Sequence, residues 1–182
     1  MTFFVWLAFE VLFNLLQYGN RAGAKLLINR RLQYWLSGLS WVGFVCVFGD
    51  AIRPGFSILA YSGLRIGLGC GFILLCLLYR WYAIQVLGRF YTATISIFPD
   101  HKIVEAGPYK LFRHPQHFAE SFAFVALACC FQNYFCQLLT VLFPLVSAVF
   151  KVKLEEKALL EHFGEKYLNY QRRTYRIIPY IY

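Results

Sequence analysis

Charge is scarce in this chain. Only 15% of its 182 residues are Asp, Glu, Lys or Arg, against about a quarter in a typical soluble domain. Hydrophobic residues make up 59% and aromatics 20%, which excludes an ordinary soluble domain. No internal repeat, low-complexity tract or polar linker interrupts the chain, so residues 1–182 read as one domain. The six cysteines, Cys46, Cys70, Cys76, Cys129, Cys130 and Cys136, lie in or beside apolar stretches without zinc-type spacing, which argues for reduced packing residues rather than a metal site. The first apolar run lacks a basic leader and carries Glu10 and Asn14, so it does not look like a cleaved signal peptide. It reads as a structural helix.

What the chain has is apolar runs. They cover Phe3 to Tyr18, Tyr34 to Gly49, Phe56 to Tyr79, Phe118 to Phe131 and Tyr134 to Phe150, and a spanning helix needs roughly 20 residues, with about 17 tolerated. The expected fold is therefore all-α, a polytopic membrane protein of about five spans. The fourth run is short; it must borrow flanking residues, kink, or form a helical hairpin with the fifth across Gln132-Asn133. All 18 basic residues except Arg53 and Arg65 fall within residues 19–33, 80–117 and 151–182. Because Lys and Arg stay on the cytoplasmic side, these three segments are expected inside and the N-terminus outside. The net charge of +9 then suits topology and anionic headgroups rather than nucleic acid.

Residues 1–89 read as three spans, the third continuing as helix through Arg80 and Gln85 to Gly88. Glycines at 63, 67, 69 and 71 give that helix a small-residue face suited to packing in lipid. From Phe90 to Pro115 the chain turns to Thr, Ser, Asp, His, Gly and Pro, with Pro99-Asp100 and Gly107-Pro108 as turn signals. Such a loop at a membrane must be buried in protein or line a wet cavity. Lys151 to Phe163 is a good helix former with Gly164 as its stop, and Glu165 to Tyr175 reads as a second short helix. Residues 90–182 thus hold a loop, a hairpin and C-terminal helices.

Two strings concentrate the polar chemistry. Gly107-Pro108-Tyr109-Lys110-Leu111-Phe112-Arg113-His114-Pro115 and Glu155-Glu156, followed by Phe163-Gly164-Glu165-Lys166-Tyr167, put Arg, His, two Glu and several Tyr at the edge of a greasy chain. That is where a polar cofactor and a lipid-bound substrate could meet, and it suggests an enzyme in a membrane.

The stretch from Arg80 onward resembles the isoprenylcysteine carboxyl methyltransferase and phospholipid methyltransferase superfamily. The matching parts are Leu87-Gly88 after a long helix, His101-Lys102-Ile103-Val104, Gly107-Pro108-Tyr109, Arg113-His114-Pro115, Glu155-Glu156, Phe163-Gly164, Tyr167, Tyr170 and Ile178-Pro179. The resemblance implies S-adenosylmethionine-dependent methyl transfer at the cytoplasmic membrane face, with a lipid substrate entering sideways from the bilayer. It makes His101, Lys102, Ile103, Val104 and Tyr109 residues that hold the adenosyl part. His114, Pro115, Gln116 and His117 would line the cofactor and Glu155 would meet it. Lys151 stands where the family often has an Arg for a substrate carboxylate. The family has a Tyr and then a Gly after the His-Pro pair; here His117 and Ala119 stand instead.

Elementary chemistry agrees. Displacement at a sulfonium methyl group needs a near-attack geometry more than a covalent nucleophile. Glu155 or Glu156 can take amino or hydroxyl donors, and Arg113 can grip a carboxylate bidentately. Together with the resemblance, which gives Lys151 the substrate carboxylate, this makes Arg113, Lys151 and Glu156 the expected catalytic group, with Lys151 binding substrate. An ionised carboxylate acceptor needs a cation to orient it, whereas an amine must lose a proton, for which His114 or Glu120 is a candidate. Blander readings stand beside these. Arg113 could be a topology anchor, Lys151 and Glu155 a surface pair at helical spacing, and Tyr167, Tyr170, Tyr175, Tyr180 and Tyr182 an interfacial aromatic belt. His114 and His117 lack a third ligand for a metal.

The leading function is methylation of the carboxylate of an isoprenylcysteine-like lipidated substrate, with no obligate protein partner and no metal. The alternatives are a phospholipid amine N-methyltransferase, an NADPH-dependent sterol-reductase-like enzyme, whose C-terminus Tyr175 to Tyr182 resembles, and a non-catalytic membrane scaffold. The membrane would be the cell inner membrane in a prokaryote and the endoplasmic reticulum in a eukaryote.

Overall fold

The computed structural model describes residues 25–26, 35, 38, 63–92, 96–130 and 134–177. The Phe3 to Tyr18 run, nearly all of the Tyr34 to Gly49 run, the Gln132-Asn133 turn and Ile178-Pro179 lie outside the described residues.

Four helices carry the described fold: α1 (Gly63–Leu87), α2 (Pro115–Cys129), α3 (Tyr134–Phe163) and α4 (Glu165–Gln171). Helix α1 packs on α2, α2 on α3, and α3 on α4. Strands β1 (Lys25–Leu26) and β2 (Ser96–Ile97) pair antiparallel, Lys25 opposite Ile97. That strand pair was not expected in an all-α chain.

Among the described residues two helical segments, Gly63–Phe90 and Tyr134–Phe163, are long and apolar enough to cross a membrane. Their outward faces are greasy. Leu64, Leu68, Leu75 and Leu78 on α1 and Phe135, Leu138, Leu142 and Leu145 on α3 are all exposed, a surface unfavourable in water and at home in hydrocarbon. Helix α2 has only 15 residues, roughly 22 Å at about 1.5 Å per residue. That is shorter than a span needs, as expected of the fourth run, and the Gln132-Asn133 turn of the expected hairpin lies outside the described residues.

Small side chains let these helices approach. Ala119, Ala123 and Ala126 are buried along α2. Of the glycines expected to form a packing face, Gly69 alone meets a neighbour among the described residues: a Cβ there would sit 2.4 Å from Cys130 Sγ and 3.3 Å from the Ala126 carbonyl, whereas one on Gly63, Gly67 or Gly71 would meet none of them. The cause is helical geometry, since those three turn to the outward side.

The segment from Lys151 is the end of α3 rather than a separate helix, and Pro144 is accommodated inside it. Gly164, at φ +54°, breaks α3 from α4, a left-handed value that side chains disfavour. Helix α4 is shorter than the expected Glu165 to Tyr175 because the chain then turns back. Tyr175 N donates to the Leu111 carbonyl at 2.8 Å, Arg113 N to the Tyr175 carbonyl at 2.8 Å and His114 N to the Arg176 carbonyl at 3.2 Å. This parallel bridge straps the C-terminal segment onto the second half of the 90–115 loop.

Candidate active site

The loop enters the site through Gly107, whose φ is +54° and whose Cβ would stand 3.0 Å from the Tyr82 hydroxyl and 3.2 Å from Val86. Only glycine allows both that turn and that approach to α1. The turn Gly107–Lys110 buries Tyr109, whose carbonyl accepts a 2.8 Å hydrogen bond from the Tyr170 hydroxyl. Tyr167 and Tyr170 are both buried, so they belong to the core that braces the loop rather than to an interfacial belt.

His114 and Pro115 start α2, and Glu155 and Glu156 come in from α3. Arg113 Nε donates to Glu156 Oε1 at 2.7 Å, while its Nη1 donates to the Gln171 carbonyl at 2.9 Å and to the Thr174 carbonyl. Arg176 Nη2 reaches the other Glu156 oxygen at 2.7 Å. The Glu156 carboxylate is thus gripped from two sides inside the protein. Arg113 was expected to hold a ligand carboxylate; its Nε and Nη1 are instead engaged within the chain. Both carboxylate oxygens of Glu156, expected among catalytic groups, are engaged by arginines.

His114 Nδ1 lies 3.4 Å from Glu155 Oε2 and its Nε2 3.5 Å from Glu156 Oε1. Burial disfavours the charged ring, but the two carboxylates outweigh it and its pKa is pushed up to about 9. His117 Nδ1 pairs with Glu120 Oε2 at 3.1 Å, and its Nε2 stands 4.0 Å from Glu155 Oε2. Lys151 makes no ion pair with Glu155 among the described residues; its charge acts on Glu120, as does that of Arg80. Among those residues no group of three or more His, Cys, Asp or Glu is arranged to hold a metal.

His101 takes part in none of these pairs. Its ring stacks on Phe90 at 4.9 Å and meets Phe163 edge-on at 5.7 Å, and burial, helped by His162, lowers its pKa. Ile103 and Val104 are half-buried and Lys102 is exposed. Four of the motif side chains keep a buried polar atom without hydrogen-bond geometry: His101 Nδ1, Tyr109 Oη, His114 Nε2 and Gln116 Oε1. Burial and the neighbouring Glu155 hold the Tyr109 hydroxyl protonated.

Two contributors were not foreseen. Arg176 was read only as a topology charge, and nothing local marks it, because its partner Glu156 is set by the strap. Arg80 was counted with the loops but is buried within α1. A cation inside a helical apolar run is costly unless it faces the interior, and that signal was present.

The comparisons converge on this region. The model of the Isoprenylcysteine carboxyl methyltransferase (ICMT) family matches residues 68–161, from the first turns of α1 to the end of α3. The fold is similar to a solved structure of the eukaryotic intramembrane Ras methyltransferase ICMT, with a TM-score of 0.63, 24% identity, and coverage of 85% of this chain and 55% of that one. YpbQ, an uncharacterised protein of Bacillus subtilis (strain 168), is 28% identical over 83 residues, 46% of this chain and 49% of the relative. The chain spans about half the length of these relatives. Since the family match covers more than half of the sequence and takes in both strings that build the ion-paired cluster, the chain belongs to the isoprenylcysteine carboxyl methyltransferase family.

Proposed function

We propose that the chain is an integral membrane, multi-pass S-adenosylmethionine-dependent methyltransferase with its site on the cytoplasmic face, acting on the carboxylate of an isoprenylcysteine-like lipidated substrate. The observation that carries this reading is the set of buried polar atoms on His101, Tyr109 and Gln116 that have no hydrogen-bond partner among the described residues. Unmade hydrogen bonds in an interior are costly, and a polar ligand held among these groups removes that cost. The donors and acceptors suit the cofactor: a phenol and ring nitrogens for hydroxyl and adenine groups, and Glu155 and Gln116 oxygens for amino groups.

When bound, S-adenosylmethionine supplies a methyl group on a cationic sulfur. His101, Lys102, Ile103, Val104 and Tyr109 would hold its adenosyl part; His114, Pro115, Gln116 and His117 would line it, and Glu155 would take its amino group. Arg113 and Glu156 fix the loop against α3, so that His114 and Glu155 are preorganised before any ligand arrives. Lys151 orients the acceptor carboxylate electrostatically. The exposed apolar faces of α1 and α3 suit a substrate whose tail stays in the bilayer while its head reaches the polar cluster.

Binding of labelled S-adenosylmethionine and of NADPH to the detergent-purified protein tests this reading. Saturable S-adenosylmethionine binding that weakens in Glu155→Ala is expected. Exclusive NADPH binding would instead assign a reductase, and binding of neither would leave a scaffold.

A further inference from the structure

We propose that His117 and Glu120 form a proton-accepting pair and that the site also methylates a thiol carried on a lipid-tailed molecule. The inference rests on the methyl-transfer reading and extends its acceptor class.

The pair sits on the first turns of α2. His117 Nδ1 is 3.1 Å from Glu120 Oε2, the two side chains are 13% and 17% exposed, and Ser121 Oγ donates to the His117 carbonyl at 2.8 Å. A carboxylate on Nδ1 fixes the proton there and leaves Nε2 as the basic atom. Nε2 lies 4.0 Å from Glu155 Oε2, beyond hydrogen-bond reach, so it is not tied up in a hydrogen bond to that carboxylate.

An ionised carboxylate acceptor releases no proton, and for it such a base has no task. A protonated nucleophile does release one. Thiols ionise near pH ~8.5 and alkyl ammonium groups near ~10.4, so an imidazole is much better matched to the thiol. The surrounding charge points the same way. The titratable groups facing the pair are Arg80 from α1, Tyr91 beyond it, His114 at the head of α2, and Lys151 and Glu155 from α3. Against the one carboxylate among them, Glu155, the cations Arg80 and Lys151 favour a developing thiolate and disfavour an ammonium.

In the step, the S–H proton passes to His117 Nε2 as the thiol sulfur's electron pair takes the methyl group. The electron pair of the broken methyl–sulfonium bond stays with the departing, now neutral thioether. The imidazolium, held by Glu120, then returns its proton to water.

The test uses the full chain in detergent, tritiated S-adenosylmethionine, and three acceptors sharing one isoprenoid tail but ending in a thiol, a carboxylate or an amine. Cofactor binding and the His117 ring tautomer, read by nitrogen NMR, are measured alongside. Expected are label on the thiol, a proton on Nδ1, and a one-proton rise of kcat/KM with pH for the thiol. H117Q is expected to depress thiol transfer about a hundredfold more than it depresses carboxylate transfer, and to abolish that pH limb; E120Q is expected to weaken both effects in part. Label on the carboxylate alone or on the amine in place of the thiol, a proton on Nε2, or wild-type thiol transfer by H117Q would overturn the inference while leaving methyl transfer intact. Absence of cofactor binding and of all transfer would sink the underlying reading with it. Should H117Q fail to fold, the wild-type acceptor choice and tautomer decide.

Discussion

Arg113 and Glu156, 43 residues apart in the chain, share a 2.7 Å hydrogen bond in the interior, and Arg176 closes on the opposite carboxylate oxygen. Removing the carboxylate strands two cations at once. Breaking a buried pair from one side typically costs about 3–5 kcal/mol, and Glu156→Ala is expected to destabilise the detergent-solubilised protein by that amount. A loss of only ~1 kcal/mol, the scale of an exposed pair, in denaturant or thermal unfolding would reject the keystone role.

Stability is expected to fall as pH rises from about 6.5 to about 9. The folded His114 is raised to about 9 from an ordinary 6.5, so below the lower value both states are protonated and its full contribution is present. Between the two values the unfolded ring loses its proton while the folded ring keeps it, and the contribution drains away. Thermal midpoints measured across this range should decline, and His114→Gln should flatten the decline. An unchanged slope in the variant would show that another group sets it.

Two neighbouring tyrosines are expected to separate stability from binding. Tyr170→Phe deletes the buried donor to the Tyr109 carbonyl and leaves that acceptor unsatisfied, at a cost of about 1–3 kcal/mol. Tyr109→Phe deletes a hydroxyl that has no hydrogen-bond partner among the described residues, so it should leave the unfolding midpoint in place and weaken S-adenosylmethionine binding. Equal effects of the two variants on both measurements would refute this division.

Among the glycines of α1, position 69 is expected to stand apart. Gly69→Ala drives a methyl group into Cys130 and the Ala126 carbonyl, an overpacking worth about 1–3 kcal/mol. Gly71→Ala meets open space and should be neutral or gain ~0.5–1 kcal/mol from helix propensity. Parallel unfolding of the two variants decides it, and equal tolerance would place the α1–α2 contact elsewhere.

The sequence made the apolar helices and the polar strings legible because each is a local signal. Runs such as Tyr134 to Phe150 are read from composition, and Gly107 and Gly164 announce turns by residue type. The commitments of the polar side chains were not legible. Arg113 carries the same sequence signature whether it grips a ligand or Glu156, and the choice is made by the backbone bridge from Leu111 to Tyr175, a non-local pairing. The outward placement of Gly67 and Gly71 depends on which side of α1 meets α2, which glycine spacing does not specify. Tyr167 and Tyr170 illustrate the same limit, since a tyrosine near a membrane surface serves a belt or a core equally well until its neighbours are placed.

The strap that pairs Phe112 with Tyr175 also sets an order of events during synthesis. Arg113 and His114 leave the ribosome well before Thr174, Tyr175 and Arg176, so their backbone and guanidinium partners do not yet exist when α2 and α3 are first inserted. A nascent chain halted short of residue 174 would hold the helices but not the tethered loop. The backbone tether of Leu111 to His114 is therefore completed only after translation has passed α4.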